Sequence, residues 1–180
     1  MKNVIKANEP GLRGAALCAV IIMSAIVFPL KANGAAAREN GEDFRNVAGK
    51  EWMLFEVRTG GKTISIDRMK LETGNMGGAF TISFREGESP NEGQAGGMGV
   101  PNRFFAPYTA GSRKTLSIGN IASTMMFAFM EPEELKEREY FDYLAKTTRW
   151  DLRKEKLELH SSNINGAEVI LVFALLPGSR

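Results

Sequence analysis

The stretch Gly97–Leu144 decides the fold. It opens with G-M-G-V-P-N-R-F-F-A-P-Y (97–108) and continues through L-S-I (116–118) and T-M-M (124–126). It closes with E-R-E-Y-F-D-Y-L (137–144). Aromatic-rich runs, one Asn, one Thr and an acidic amphipathic segment follow one another in fixed order. The pattern points to a fold and a compartment; it contains no evident set of reacting groups.

Strand signals surround this stretch. Upstream, E-W-M-L-F-E-V-R (51–58) is β-rich, with Trp52 and Leu54 on one face. T-G-G-K (59–62) reads as a turn into T-I-S-I-D (63–67), so the two runs are expected to form a hairpin. A-F-T-I-S-F-R (79–85) alternates most clearly, with Phe80, Ile82 and Phe84 on one side and Thr81 and Ser83 on the other. E-G-E-S-P-N-E-G-Q-A-G-G-M-G (86–99) lacks the Lys-Ser/Thr ending of a phosphate-binding loop and reads as a mobile hairpin loop.

Within the stretch, 102–108 and 115–118 read as strands around a turn at 110–113. Residues 122–130 read as a strand or a bend. The periodicity predicts the principal helix over 131–147. Pro132 suits its first turn, and Glu133 and Glu134 suit the positive end of its dipole. Glu134–Arg138 and Asp142–Lys146 are favourable pairs, and Tyr140, Phe141 and Leu144 form an apolar stripe. Runs at 150–152, 156–160 and 168–175 complete the pattern, the last two separated by an Asn-Gly turn. These elements define an α+β fold: a curved antiparallel sheet of about seven strands with one principal amphipathic helix.

The N-terminus differs in kind. Lys2, Lys6 and Arg13 precede an apolar run from Ala15 to Leu30, and small residues follow Lys31. Basic start, apolar middle and small-residue exit are the parts of a signal peptide over 1–34. An uncleaved anchor over 15–30 is the alternative, although the run is short of the roughly 20 residues a span needs. Cleavage at Cys18 as a lipoprotein is disfavoured by Leu17 before it and the long apolar run after it. Residues 35–50 read as a linker, and 51–176 as the domain.

Residues 1–34 hold four basic residues and one acid. Taking these from totals of 23 and 21 leaves 19 basic and 20 acidic residues, a net charge of −1. The basic balance therefore belongs to the leader, and nothing in the domain argues for nucleic acid. Cys18 is the chain's single cysteine, so the domain must be stabilised by packing.

Reaction chemistry finds little support. His160 is the single histidine. Beside Ser161 and Ser162 it reads as a solvated turn residue rather than the base of a triad. One His without Cys makes no typical zinc site. Glu131, Glu133, Glu134, Glu137 and Glu139, interleaved with Lys136 and Arg138, read as a solvated helix face, and no EF-hand pattern occurs. Asn102 and Thr124 read as structural, bonding backbone where the chain turns. Met98, Met125, Met126 and Met130 read as core filling, with use on an adaptable binding surface as the alternative.

Over Glu51–Ala174 the layout resembles the META domain, or HslJ-like, family. The resemblance is carried by Trp52-Met53-Leu54, by Gly99-Val100-Pro101-Asn102 with Phe104, Phe105 and Tyr108, and by Leu116-Ser117-Ile118. It continues through Thr124-Met125-Met126, then Glu137, Tyr140 and Leu144, and the runs Leu157–Leu159 and Val169–Ala174. Many members have a cysteine before the Asn and another after the Thr-x-Met element; Pro101 and Ala128 stand there. The long glycine-rich loop is a second departure. The resemblance implies an exported or membrane-anchored bacterial domain linked to heat shock or envelope stress, with no catalytic residues to carry over. The expected function is non-catalytic binding of an envelope protein or membrane surface, without cofactor or metal. Carriage of a small lipophilic ligand among Phe80, Phe84, Phe104 and Phe105 is the alternative.

Overall fold

A computed structural model describes residues 43–89, 91–127, 131–176 and 178. All of them fall within one unit, residues 38–180. The leader, Ala128 and Met130 lie outside the described residues.

The fold is α+β, dominated by one antiparallel sheet. Its elements are β1 (Glu51–Thr59), β2 (Lys62–Ser65), α1 (Arg68–Thr73), β3 (Thr81–Glu86), β4 (Glu92–Met98) and β5 (Arg103–Ala110). They continue with β6 (Leu116–Ile118), β7 (Ala122–Ser123), α2 (Glu137–Ala145), β8 (Arg149–Arg153), β9 (Lys156–Ser162) and β10 (Glu168–Leu175). The sheet order is β6-β5-β4-β3-β1-β10-β9-β8, with β2 paired to β1 and β7 to β5. The two ends of this order meet: Thr115 bridges Arg149, and the Leu116 N–H donates to Thr148 O at 3.0 Å. The curved sheet thus nearly closes into a barrel.

Alternation explains the interior. On β5, Phe104, Ala106, Tyr108 and Ala110 are buried while Arg103, Phe105, Pro107 and Thr109 are exposed. On β1 strict alternation would turn Glu56 inward with Trp52 and Leu54. A bulge shifts the register between Leu54 and Glu56. It restores Val57 to the buried side and leaves Phe55 outside.

The structure corrects the sequence reading at several places. The expected mobile loop over 86–99 contains β4, in register with both β3 and β5. Gly93 and Gly97 make this pairing feasible, because a Cβ at either would lie 2.0 Å from Arg85 O or Thr81 O. Helix α1 was not anticipated. Asp67 caps it by accepting from the Lys70 N–H at 3.0 Å, and Leu71 buries its apolar side.

Helix α2 begins at Glu137 rather than at 131. Pro132 and Leu135 are both buried, and Lys136 is extended. Glu134 therefore reaches Lys70 of α1, at 3.7 Å, instead of pairing with Arg138 along a helix. Phe80 is buried with Ile82 and Phe84, yet it precedes β3 with a φ of 55°. Thr81 is buried too, although alternation placed it outside.

Packing also extends back before Glu51. Phe44 and Val47, in the expected linker, are buried. The Phe44 ring lies 5.1 Å from Phe84, 5.2 Å from Trp150 and 5.4 Å from Tyr108. The Trp52 indole N–H donates to Val47 O at 3.0 Å, and the Gly49 N–H to Phe84 O at 2.9 Å.

Candidate functional site: a polar clamp and an apolar tip

Three separate segments converge at the start of β5. The chain turns tightly there, with the Gly99 N–H donating to Asn102 O at 2.6 Å. Asn102 is buried, and its amide is engaged on both sides. Its Nδ2 donates to Glu137 Oε2 at 2.7 Å and to Met126 O at 3.2 Å. Its Oδ1 accepts from Thr124 Oγ1 at 2.9 Å and from the Met126 N–H at 2.6 Å. Its own N–H donates to Glu137 Oε1 at 2.7 Å. Thr124 closes the circuit: its Oγ1 accepts from the Arg103 N–H at 3.2 Å, and its N–H donates to Arg103 O at 3.0 Å.

Each position constrains residue type. Only an amide side chain presents both an acceptor and two donors in one plane. Glu137 needs two acceptor oxygens, one for main chain and one for side chain. Gly99 leaves room for it, since a Cβ there would lie 2.5 Å from Glu137 Oε1 and 2.8 Å from Phe141 Cζ. Tyr140, one turn along α2, donates its hydroxyl to Thr81 O at 3.1 Å and packs edge-to-face on Phe80. Burial raises the Tyr140 hydroxyl well above its usual range, with Arg68 opposing the shift, so it stays a neutral donor. Gly99, Asn102, Thr124, Met126, Glu137 and Tyr140 are thus brought together. Trp52, Leu54, Phe104, Tyr108 and Leu144 lie in the core.

The clamp holds an apolar segment in solvent. Met125 is 99 % exposed, Met126 62 % and Phe127 85 %. The expectation that Met125 and Met126 fill the core is therefore overturned. Asn102 binds the backbone of 126 on both its N–H and its C=O, and this directs the side chains outward. Uncharged apolar sequence runs from Met125 through Met130. That run was a readable signal, but sequence could not say which way it faced.

Beside the clamp lies an open groove of about 630 Å³ over the outer face of β3, β4 and β5. Lys50, Arg85, Arg103, Met98 and Phe105 line it, together with Glu51. Phe105 is 54 % exposed. No sequence signal joined these residues, because their proximity is a product of strand register.

The other chemical candidates are placed apart. His160 lies on β9, not in a turn, with its side chain largely covered. Arg149 Nη2 approaches both ring nitrogens at 3.1–3.2 Å, and Glu168 lies 3.6 Å from Nδ1. Ser161 faces the opposite side and donates to Tyr143 O at 2.6 Å. Phe80 and Phe104 are buried against the Tyr140 ring and Phe84 against Phe44 and Tyr108, while Phe105 faces out. A ligand among these rings has to displace packed aromatics. Among the described residues, no cluster of His, Cys, Asp and Glu is arranged to hold a metal ion.

Fold and site together define a nearly closed antiparallel barrel with one covering helix and a polar clamp at one end. The family model of the META domain matches residues 45–173, and the chain belongs to that family. A solved structure described as an NMR structure of the protein from Burkholderia xenovorans shares the fold. It has a TM-score of 0.52 and 20 % identity, covering 83 % of this chain and 99 % of the other. No curated protein matches.

Proposed function

We propose that this META domain is an exported, non-catalytic binding domain of the cell envelope that serves stress tolerance. Its contact surface is the tip Met125–Phe127. The observation that carries this reading is the clamp itself. A buried amide and a carboxylate from a distant helix fix the backbone of a segment whose side chains do not serve the core. Native domains bury large apolar groups where they can, and a held apolar protrusion signals an interaction site. The leader composition over 1–34 supports export, and no helix among the described residues is long and apolar enough to cross a membrane.

Site-specific photocrosslinking in the native host tests this. A photoreactive residue at 127 is expected to give a discrete adduct, whereas one at Lys62 gives none. Lys62 opens β2, which is separated from β5 in the sheet by β4, β3 and β1, and it pairs with Thr59, beyond the Met53 position that Thr81 and Met98 set level with Arg103. Equal labelling at both positions, or none at either, contradicts the proposal.

A further inference from the structure

We infer that the tip and the adjoining groove form one docking surface for an anionic lipid membrane. This rests on the binding reading above and names its partner.

Two observations meet at β5. The first is the tip, which follows directly on Thr124; that residue is hydrogen-bonded through both its N–H and its Oγ1 to the backbone of Arg103. The second is the charge of the groove. Its lining carries Lys50, Arg85 and Arg103 against the single acid Glu51, in a domain whose sequence from residue 35 onward carries a net charge of −1. Cations have been concentrated on the face that also presents Phe105, and the tip adjoins that face where Thr124 is bonded to Arg103.

Apolar side chains beside a cationic patch match the layered chemistry of a bilayer surface. Met and Phe side chains enter the boundary between headgroups and acyl chains, while Arg and Lys stay at the level of the phosphates. The arrangement suits a flat, fluid partner. The Met side chains are flexible and the groove is open, so no fixed complementary shape is demanded. The clamp contributes rigidity where it is useful, by holding the backbone of 126 so that insertion orders side chains alone.

The test uses the full chain carrying Phe127→Trp and vesicles of brominated phosphatidylcholine, with or without phosphatidylglycerol. The native Trp52 and Trp150 are buried, so a new solvent-exposed indole is read by difference. Its emission is expected to shift to the blue and be quenched on vesicles containing phosphatidylglycerol. Adding Arg85→Glu and Arg103→Glu is expected to weaken this roughly thirtyfold or more, each lost cation contributing about fivefold. Lys62→Trp in place of Phe127→Trp is expected to show no quenching.

A chain that binds vesicles through its leader alone leaves the indole at 127 unquenched, and that result overturns the inference. So does equal quenching with and without phosphatidylglycerol. An unquenched indole together with a protein adduct from the crosslinking above removes the lipid partner and leaves the binding reading standing.

Discussion

Replacing Asn102 with alanine removes four side-chain hydrogen bonds while leaving the Glu137 carboxylate and the Met126 N–H in place. Stranding buried polar groups costs more than the net worth of the bonds themselves. The variant is expected to lose about 3 kcal/mol of unfolding free energy in urea titration, at the upper end for one side chain. Asn102→Asp is expected to be at least as damaging at neutral pH, because it sets a second carboxylate where Nδ2 lies 2.7 Å from Glu137. Glu137→Gln keeps the shape but presents a donor to a donor, and an intermediate loss of about 1–2 kcal/mol is expected. If Asn102→Ala unfolds with the midpoint of the parent chain, the clamp does not hold in solution.

At the scale of elements, β4 gives the sharpest contrast. A methyl group at Gly97 meets Thr81 O at 2.0 Å, whereas at Gly96, on the neighbouring pleat, the nearest atom is Phe104 O at 3.3 Å. Gly97→Ala is expected to cost roughly 2–4 kcal/mol and Gly96→Ala under about 1 kcal/mol. Similar losses at both positions contradict the register.

The same strand shows where sequence reading stops. Strands with large alternating side chains, such as 79–85 and 102–108, were legible because burial has a period of two. β4 was not, because its inward positions hold glycine and alanine, and what fixes them is the approach of β3's backbone. Helix α1 carried a local signal in its Asp67 cap, but six residues give little periodicity. The start of α2 was misplaced because Pro132 and Leu135 are held by tertiary burial, which overrides favourable helix chemistry. Of the site, the types Gly99, Asn102, Thr124 and Glu137 were singled out from sequence. Their convergence was not, since it joins residues up to 38 positions apart (Gly99 to Glu137).

At the scale of the molecule, the barrel closes along the seam between β6 and β8. Lys114 crosses it to Asp151 and lies 5.5 Å from the centre of the Trp150 ring, and Arg153 also reaches Asp151 at 2.9 Å. Burial alone would raise the Asp151 carboxyl, but hydrogen bonds from Lys114 and Arg153 outweigh it and hold the group below its usual range. A carboxyl lowered in the folded state adds stability that is present above its unfolded value and lost as pH falls through the folded one. Urea titrations at decreasing pH below about 5 are expected to show this loss, and Asp151→Asn is expected to flatten it. An unchanged pH slope in that variant places the acid sensitivity elsewhere. Away from the seam, Phe44→Ala is expected to cost about 3–4 kcal/mol, because it empties the site shared by Phe84, Tyr108 and Trp150.

The claim that unites these scales is that the domain holds Met125–Phe127 ready for a partner. Methionine oxidation followed by mass spectrometry tests it on the unaltered chain, with Met69, 78 % exposed on α1, as internal reference. In the purified chain Met125 is expected to oxidise at least as fast as Met69. In the native envelope Met125 and Met126 are expected to be protected while Met69 still reacts. Protection of Met125 already in the purified chain, or equal reactivity in both settings, would contradict a tip held for binding.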